Sequence, residues 1–432
     1  MPDTSLNDWP YASSDTTAVT HVAVGLSVAL LADLERLLPA RSVLVVDEPD
    51  TVRARQGRER IAGFTCVAGL VEAPTQDEAG AERLAALIRR PQRLRVVVPA
   101  LEYGVVTAAA LAEAWNVHGA GVGAARLLRD KSRLRSAAAG HGIDQPDWEV
   151  AESVGAVEEF RARHGGRCVV KPANRQASLG VRLLEAGSDA RAAWAATTSA
   201  DEARQRARNA LPPKYLVEQR LEGPEFSVEA LVLDGRTEFS NITAKSVQYG
   251  DSPVELGHVA PAALPAEVAE QLAAATRRLL AATGFRTGVV HAEWILHDGR
   301  PHLVECAGRL PGDGIGQLIN LSHGCDLTKD YLRVLEGRLP LVSGGAARAA
   351  AVRFLTAGPG LVTAVDGVEE AGRAPGVVES EVTVEPGATV GAVASSWDRL
   401  GHVIATGATP EEAAARAVHG AGLIRVTTEA PA

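Results

Sequence analysis

Two Asp-Gly dipeptides, Asp234-Gly235 and Asp298-Gly299, constrain the fold of this chain most. Each is flanked by runs of extended character: Phe226 to Leu233 and Thr237 to Thr243 around the first, Gly288 to Leu296 and His302 to Glu305 around the second. An Asp-Gly between such runs predicts a two-residue hairpin, because both central residues must adopt left-handed backbone. The middle of the chain is therefore expected to be antiparallel sheet. The start follows another rhythm. Val22 to Gly25 and Ser42 to Val46 read as short buried strands separated by a helix over Leu26 to Leu38. A helix over Glu78 to Arg90, a strand over Leu94 to Val98 and a helix over Thr107 to Trp115 follow. Strands alternating with helices predict a small doubly wound α/β domain, with its ligand crevice beyond the strand C-termini. The expected fold class is α/β at the start and α+β after it.

A chain of 432 residues exceeds one ordinary core and asks for several lobes. The expected boundaries are a flexible tail over 1–18, the α/β domain over 19–120, a mixed lobe over 121–213, a sheet-rich lobe over 214–345 and a small cap over 346–432. The mixed lobe should hold one long helix from Val122 to Ala139 and a hairpin-like pair, Arg167 to Val170 with Val181 to Leu184. A helix from Asp189 to Asn209 and a strand from Tyr215 to Glu218 should complete it. The cap follows a Gly-rich stretch and should hold short strands around Ala351, Glu381 and His402, with a helix from Pro410 to Val418.

A formal net charge of −9 carries none of the basic footprint of a nucleic-acid binder. No apolar run reaches the ~18 residues of a membrane span. The polar start lacks the basic and apolar regions of a signal peptide, and four widely spaced cysteines form neither a disulfide framework nor a zinc pattern. A cytoplasmic location with no membrane or nucleic-acid partner is the expectation. Among 44 basic residues only Lys131, Lys171, Lys214, Lys245 and Lys329 are lysines. In such an Arg-rich chain a lysine marks a place where a compact ammonium is wanted, although drift leaves a few lysines equally well.

The most informative chemistry lies on the second hairpin. Strand residues alternate faces, so His291, Glu293 and Ile295 share one, and the turn sets Glu293 almost opposite Glu305. Like charges placed so have Cβ atoms roughly 5 Å apart and destabilise the pair unless something neutralises them. A divalent cation with oxygen preference, such as Mg²⁺, would do so; two solvent-facing glutamates on an edge hairpin is the alternative. Arg309, four residues on, suits a carboxylate or phosphate, or serves as counter-charge to Glu305. Lys171 ends a strand before a small-residue loop, Ala173 to Val181, where loop N–H groups and the ammonium can meet a phosphate; a plain surface turn is the alternative. Asp47 and Glu102 follow strands of the first domain and are candidates for its crevice rim or for helix capping.

Taken in order, these pieces resemble the ATP-grasp superfamily. Arg129 to Arg135 is similar to the motif that opens its nucleotide-binding region, and Val170-Lys171-Pro172 with its loop to the second. Leu216 to Glu225 is similar to the adenine-binding hinge, and Glu293, Glu305 and Arg309 to the metal and phosphate site. The runs Val254 to Pro261 and Glu305 to Gly312 resemble those of bacterial L-amino acid ligases, the dipeptide synthetases, as does the cap.

The resemblance implies an ATP-grasp fold and an enzyme that uses ATP with Mg²⁺, or Mn²⁺ as the alternative ion. It implies that Lys131 and Lys171 contact phosphates, that Ser178 sits in the loop over them, and that Glu218 and the Leu221 backbone meet adenine. Glu225 would hold ribose, Glu293 and Glu305 the metal, and Arg309 the reacting carboxylate or transferred phosphate. Glu255 and His258 would lie near the substrates, either one able to take the proton of the attacking amine. The expected reaction joins an amino acid carboxylate to an amine through an acyl phosphate, giving ADP and phosphate, with small-molecule partners and a homodimer as one assembly. The alternatives are a carboxylase-like, siderophore or other natural-product ligase, or a nucleotide-binding regulator without catalysis. Two departures from the family pattern stand out: the loop holds only Gly180, and Ala307 replaces a frequent Asn. Asp313, beside the expected amino-acid pocket, would favour a cationic group there or be a solvated loop residue.

Overall fold

In the computed structural model the described residues are 16–429, except 203, 208 and 209. The tail expected over 1–18 lies almost wholly outside them. The first sheet is parallel, ordered Val67–Glu72, Val43–Asp47, His21–Val24, Val96–Pro99. Its runs His21–Val24, Val43–Asp47 and Val96–Pro99 are rich in valine and buried apart from Pro99, as a sheet covered on both faces requires. Ser27 caps the helix Val28–Leu37, its hydroxyl accepting from the Leu30 N–H at 3.3 Å. The strand Val67–Glu72 carries no clear alternation and was not among the expected elements. The helix expected over 78–90 is shorter, Ala81–Leu87. Asp77 explains its late start: the carboxylate accepts from the Gly80 N–H at 3.1 Å and closes a turn first.

The single helix expected from Val122 to Ala139 is two, Val122–Arg129 and Lys131–Ala139. Asp130 breaks it. Its backbone is extended, and its carboxylate caps the second helix through the N–H of Ser132 at 2.9 Å. The Lys131 N–H turns instead to the Ala173 carbonyl at 2.9 Å. A second sheet is antiparallel, ordered Trp148–Ala151, Tyr215–Glu218, Cys168–Pro172, Arg182–Leu184. The helix expected over 189–209 ends at Ser199. Thr198 donates its hydroxyl back to the Trp194 carbonyl, and Gln76 of the first domain captures the Gln205 carbonyl at 2.8 Å and the Ala207 N–H at 2.9 Å. These tertiary bonds draw the segment off the helix axis.

The third sheet has eight antiparallel strands: Arg300–Ala307, Gly288–His297, Glu225–Leu233, Arg236–Gln248, Val254–Ala260, Ala349–Leu355, Gly401–Gly407 and Val377–Val382. Both Asp-Gly turns form, with all four residues left-handed. The strands of the C-terminal segment thus continue the sheet of the preceding lobe. At the seam Gly257 pairs with Arg353, and a Cβ on Gly257 would come within 2.6 Å of the Val352 carbonyl, so only glycine fits. The helix Ala266–Thr283 covers one face of the sheet, where Trp294 is fully buried and donates to Thr276 at 3.1 Å. Leu30 and Leu34 pack in one core with Ile319 and Tyr331, fastening the first domain to the helices Ile315–His323 and Leu327–Leu335. Among the described residues no helix is long and apolar enough to cross a membrane.

Candidate active site

The carboxyl ends of the first sheet, the second sheet and one face of the third enclose a cavity of about 930 Å³. Lys131, Lys171, Ser178, Glu218, Leu221, Glu225, Glu255, His258, Glu293, Glu305 and Arg309 all line it, as do Glu102 and Asp313. Asp47 does not: it is buried and accepts the N–H groups of Leu26 at 2.8 Å and Glu48 at 2.7 Å, which is a structural role.

Strand alternation builds the floor. Glu293 pairs with Glu305 directly across the hairpin. Each is met by a lysine: Lys245 Nζ stands 2.8 Å from Glu293 and 3.1 Å from Glu255, and Lys131 Nζ stands 2.8 Å from Glu305. The break at Asp130 places Lys131 here, at the first turn of its helix. His291, on the same face as Glu293, lies 2.9 Å from Glu229 and 3.0 Å from Glu293. Glu229 also accepts from Ser227, Asn241 and Thr243, so its buried carboxylate is fully satisfied. Burial works against charge on His291, but the two glutamates outweigh it and raise its pKa to about 9. Burial likewise opposes charge on Glu293, and Lys245 with His291 overcomes it, holding the carboxyl well below its usual range. Glu225 is pushed up by burial, and Tyr249 donates to it at 2.7 Å.

On the opposite wall Glu218 receives Arg135 at 3.0 Å and Lys171 at 2.7 Å, and all three side chains are buried. Burial would raise the Glu218 pKa; the two cations reverse the sign and lower it to about 2. The loop after Lys171 folds over the cavity although it is poor in glycine. Ala177 and Ser178 both take left-handed backbone, at φ 57° and 55°. Contacts from around the cavity hold it, among them Lys131 to the Arg175 carbonyl at 2.8 Å, Arg309 to Gln176 at 3.3 Å, and the Ser396 N–H to the Ala177 carbonyl at 3.2 Å.

Arg309 is anchored by Glu102 at 2.8 Å. Burial raises the pKa of Glu102, but Arg309 and Arg129 outweigh that and lower it. His258 lies 3.3 Å from Asp313, which also receives Arg399 at 3.0 Å. Asp313 is therefore neither a solvated loop residue nor an unengaged anion. Its carboxylate is held well below the usual range by His258 and Arg399, against the effect of burial.

The sequence motifs left out Lys245, Glu229 and the stretch from Ser396 to Arg399, and gave no role of their own to His291 or Arg135. The scarcity of lysine did mark Lys245, along with Lys131 and Lys171. Of the other two lysines, Lys214 binds Asp130 and Ser132, and Lys329 is exposed.

This arrangement of two facing carboxylates, three lysines and an arginine under a loop suits a polyphosphate ligand. A family model described as an ATP-grasp domain matches residues 165–317, and one described as L-amino acid ligase C-terminal domain 2 matches residues 353–429. Residues 165–317 thus form an ATP-grasp domain. The ATP-grasp fold extends over nearly the whole length of the chain: an L-amino acid ligase from Bacillus licheniformis superposes with a TM-score of 0.76 at 19% identity, over 95% of this chain and 99% of that one. Among curated sequences, an uncharacterized protein, y4rH, of Sinorhizobium fredii is 29% identical over 64% of this chain and 56% of its own. Alanine–anticapsin ligase of Bacillus subtilis is 26% identical over 52% of this chain and 50% of its own. The chain thus spans about half the length of these two curated relatives.

Proposed function

We propose that this ATP-grasp protein is a carboxylate–amine ligase. It joins the carboxylate of an amino acid to an amine, with ATP converted to ADP and phosphate. The observation that carries this reading is the in-register pair Glu293 and Glu305 facing Lys131, Lys171, Lys245 and Arg309 in one cavity. The likeness of its C-terminal segment to that of L-amino acid ligases supports the substrate class.

The donor set fits Mg²⁺ or Mn²⁺. Glu293 and Glu305 offer only oxygens, which hard cations prefer, and both carboxylates already face cationic groups. Ala307 adds no oxygen. Bound there, the ion would neutralise charge on the phosphate oxygens during transfer. The chain's own groups do the rest. Lys131 and Lys171 orient the phosphates, and Glu218, Leu221 and Glu225 line the nucleoside end. Arg309, fixed by Glu102, holds the carboxylate in line with the γ-phosphate. The carboxylate oxygen attacks that phosphorus and ADP leaves, giving an acyl phosphate. The amine then attacks the acyl carbon, phosphate leaves, and His258 or Glu255 takes the proton. The loop over 174–180 excludes water from the acyl phosphate. No Ser or Cys nucleophile is needed, because the transfer relies on positioning and charge.

Incubation with ATP, Mg²⁺ and pairs of amino acids tests the reading. Release of ADP that depends on amino acids, with an amide product by mass spectrometry, is expected. ADP release with bicarbonate alone, or none with any carboxylate, would overturn it.

A further inference from the structure

Trp397 is an anomaly of this cavity. It lines the wall, yet 55% of it is exposed, although an indole offers more apolar surface than almost any other side chain. The turn that carries it is fixed on every side. Asp398 accepts from the N–H groups of Ala394 at 3.0 Å and Ser395 at 2.8 Å. Ser396 donates its hydroxyl to Glu255 at 2.8 Å and its N–H to the loop at Ala177. Arg399 stacks on Phe354 at 3.7 Å and binds the Glu255 carbonyl at 3.3 Å and the Asp313 carboxylate. A bare aromatic face on a rigid mount is preorganised for contact.

The charges around it are already matched. Asp313 is taken by Arg399 and His258, Glu255 by Lys245 and Ser396, and Glu102 by Arg309. Glu202, against which the indole also lies, is buried, and Tyr103 donates to it. Burial raises its pKa to about 8, toward the neutral acid. No unpaired charge faces the indole from these neighbours. A charged side chain brought there would lose hydration without gaining a partner.

We infer that Trp397 is the specificity-determining wall of the amino-acid pocket and selects a substrate with an apolar or aromatic side chain. This rests on the ligase reading above. It adds that the C-terminal segment, outside the part matched as the ATP-grasp domain, sets which amino acid is used.

The test measures ADP release at saturating ATP with leucine, phenylalanine, lysine and glutamate, each paired with a common set of partners. The wild type is expected to favour leucine and phenylalanine over lysine and glutamate by about tenfold or more in kcat/KM. In Trp397→Ala that preference should shrink by about tenfold, with the KM for ATP within about twofold of the wild type. Trp397→Phe keeps a ring on the same mount and should retain most of the preference, which separates side-chain contact from a folding defect. Quenching of tryptophan emission by the preferred amino acid should be present in the wild type and reduced in Trp397→Phe. A wild type that prefers lysine or glutamate overturns the inference, as does a preference unchanged in Trp397→Ala, while the ligase reading stands. No ADP release with any amino acid overturns both.

Discussion

Glu293 stands directly opposite Glu305 across the hairpin, yet the two carboxylates are held by different lysines from different parts of the chain. Lys245 comes from a neighbouring hairpin of the same sheet, and Lys131 from the helix that starts at the break. The pair is thus the meeting point of two lobes, and a change at either glutamate should be felt in turnover before it is felt in the fold. Glu305→Gln and Glu293→Gln should each lower amino-acid-dependent ADP release by about 10²-fold or more. Far-UV circular dichroism should remain that of the wild type. Turnover within a few-fold of normal would show that neither carboxylate serves the reaction.

Lys245 is a buried ammonium serving several carboxylates, and its pKa lies well above the ordinary lysine value because they outweigh the cost of burial. Lys245→Met removes the cation and leaves Glu293 and Glu255 facing each other. Loss of one member of a buried ion pair typically costs about 3–5 kcal/mol. Urea unfolding should show a loss of that order, with part of it recovered on adding Mg²⁺. A loss within error of zero would mean that the glutamates find other partners.

The loop over the cavity adopts left-handed backbone at Ala177 and Ser178, which costs roughly 1–2 kcal/mol per residue for side chains with a Cβ. Ala177→Gly should therefore leave stability unchanged or raise it by up to about 1 kcal/mol, whereas Ala177→Val should lower it. Thermal melting of the two variants checks the order. The same glycine should also loosen the closed loop and increase ATP hydrolysis without product.

Of the carboxyls raised by burial, Glu48 is raised to about 7 and Glu202 to about 8. In each the folded state favours the neutral acid. Their contribution to stability is complete below the ordinary carboxyl range and is lost as pH rises through these values. The melting temperature should fall between about pH 5 and pH 8.5, and Glu202→Gln should flatten that slope. A melting temperature that rises over this interval would contradict the burial of neutral acids.

What the sequence disclosed follows from the reach of its signals. Strand alternation and the Asp-Gly turn place Glu293 against Glu305 because both rules act within one hairpin. The break at Asp130 was also local, since an aspartate ahead of Lys131-Ser132 is a capping signal, but helical spacing on either side masked it. The early end of the helix at Ser199 depends on Gln76, far away in the chain, and has no local mark. Trp397 reaches the cavity only because the strand that follows its turn, Gly401–Gly407, joins a sheet begun far upstream. His291 read as a strand residue, and its role came only from Glu229 on the neighbouring strand.

That shared sheet carries a further consequence. If the C-terminal segment were removed, Val254–Ala260 would be left as an open edge with unpaired N–H and C=O groups, ready to pair with another molecule. The segment is therefore not a detachable accessory. Any lineage that exchanged it for another would have to preserve the ladder at Gly257, so substrate choice and sheet register would be inherited together.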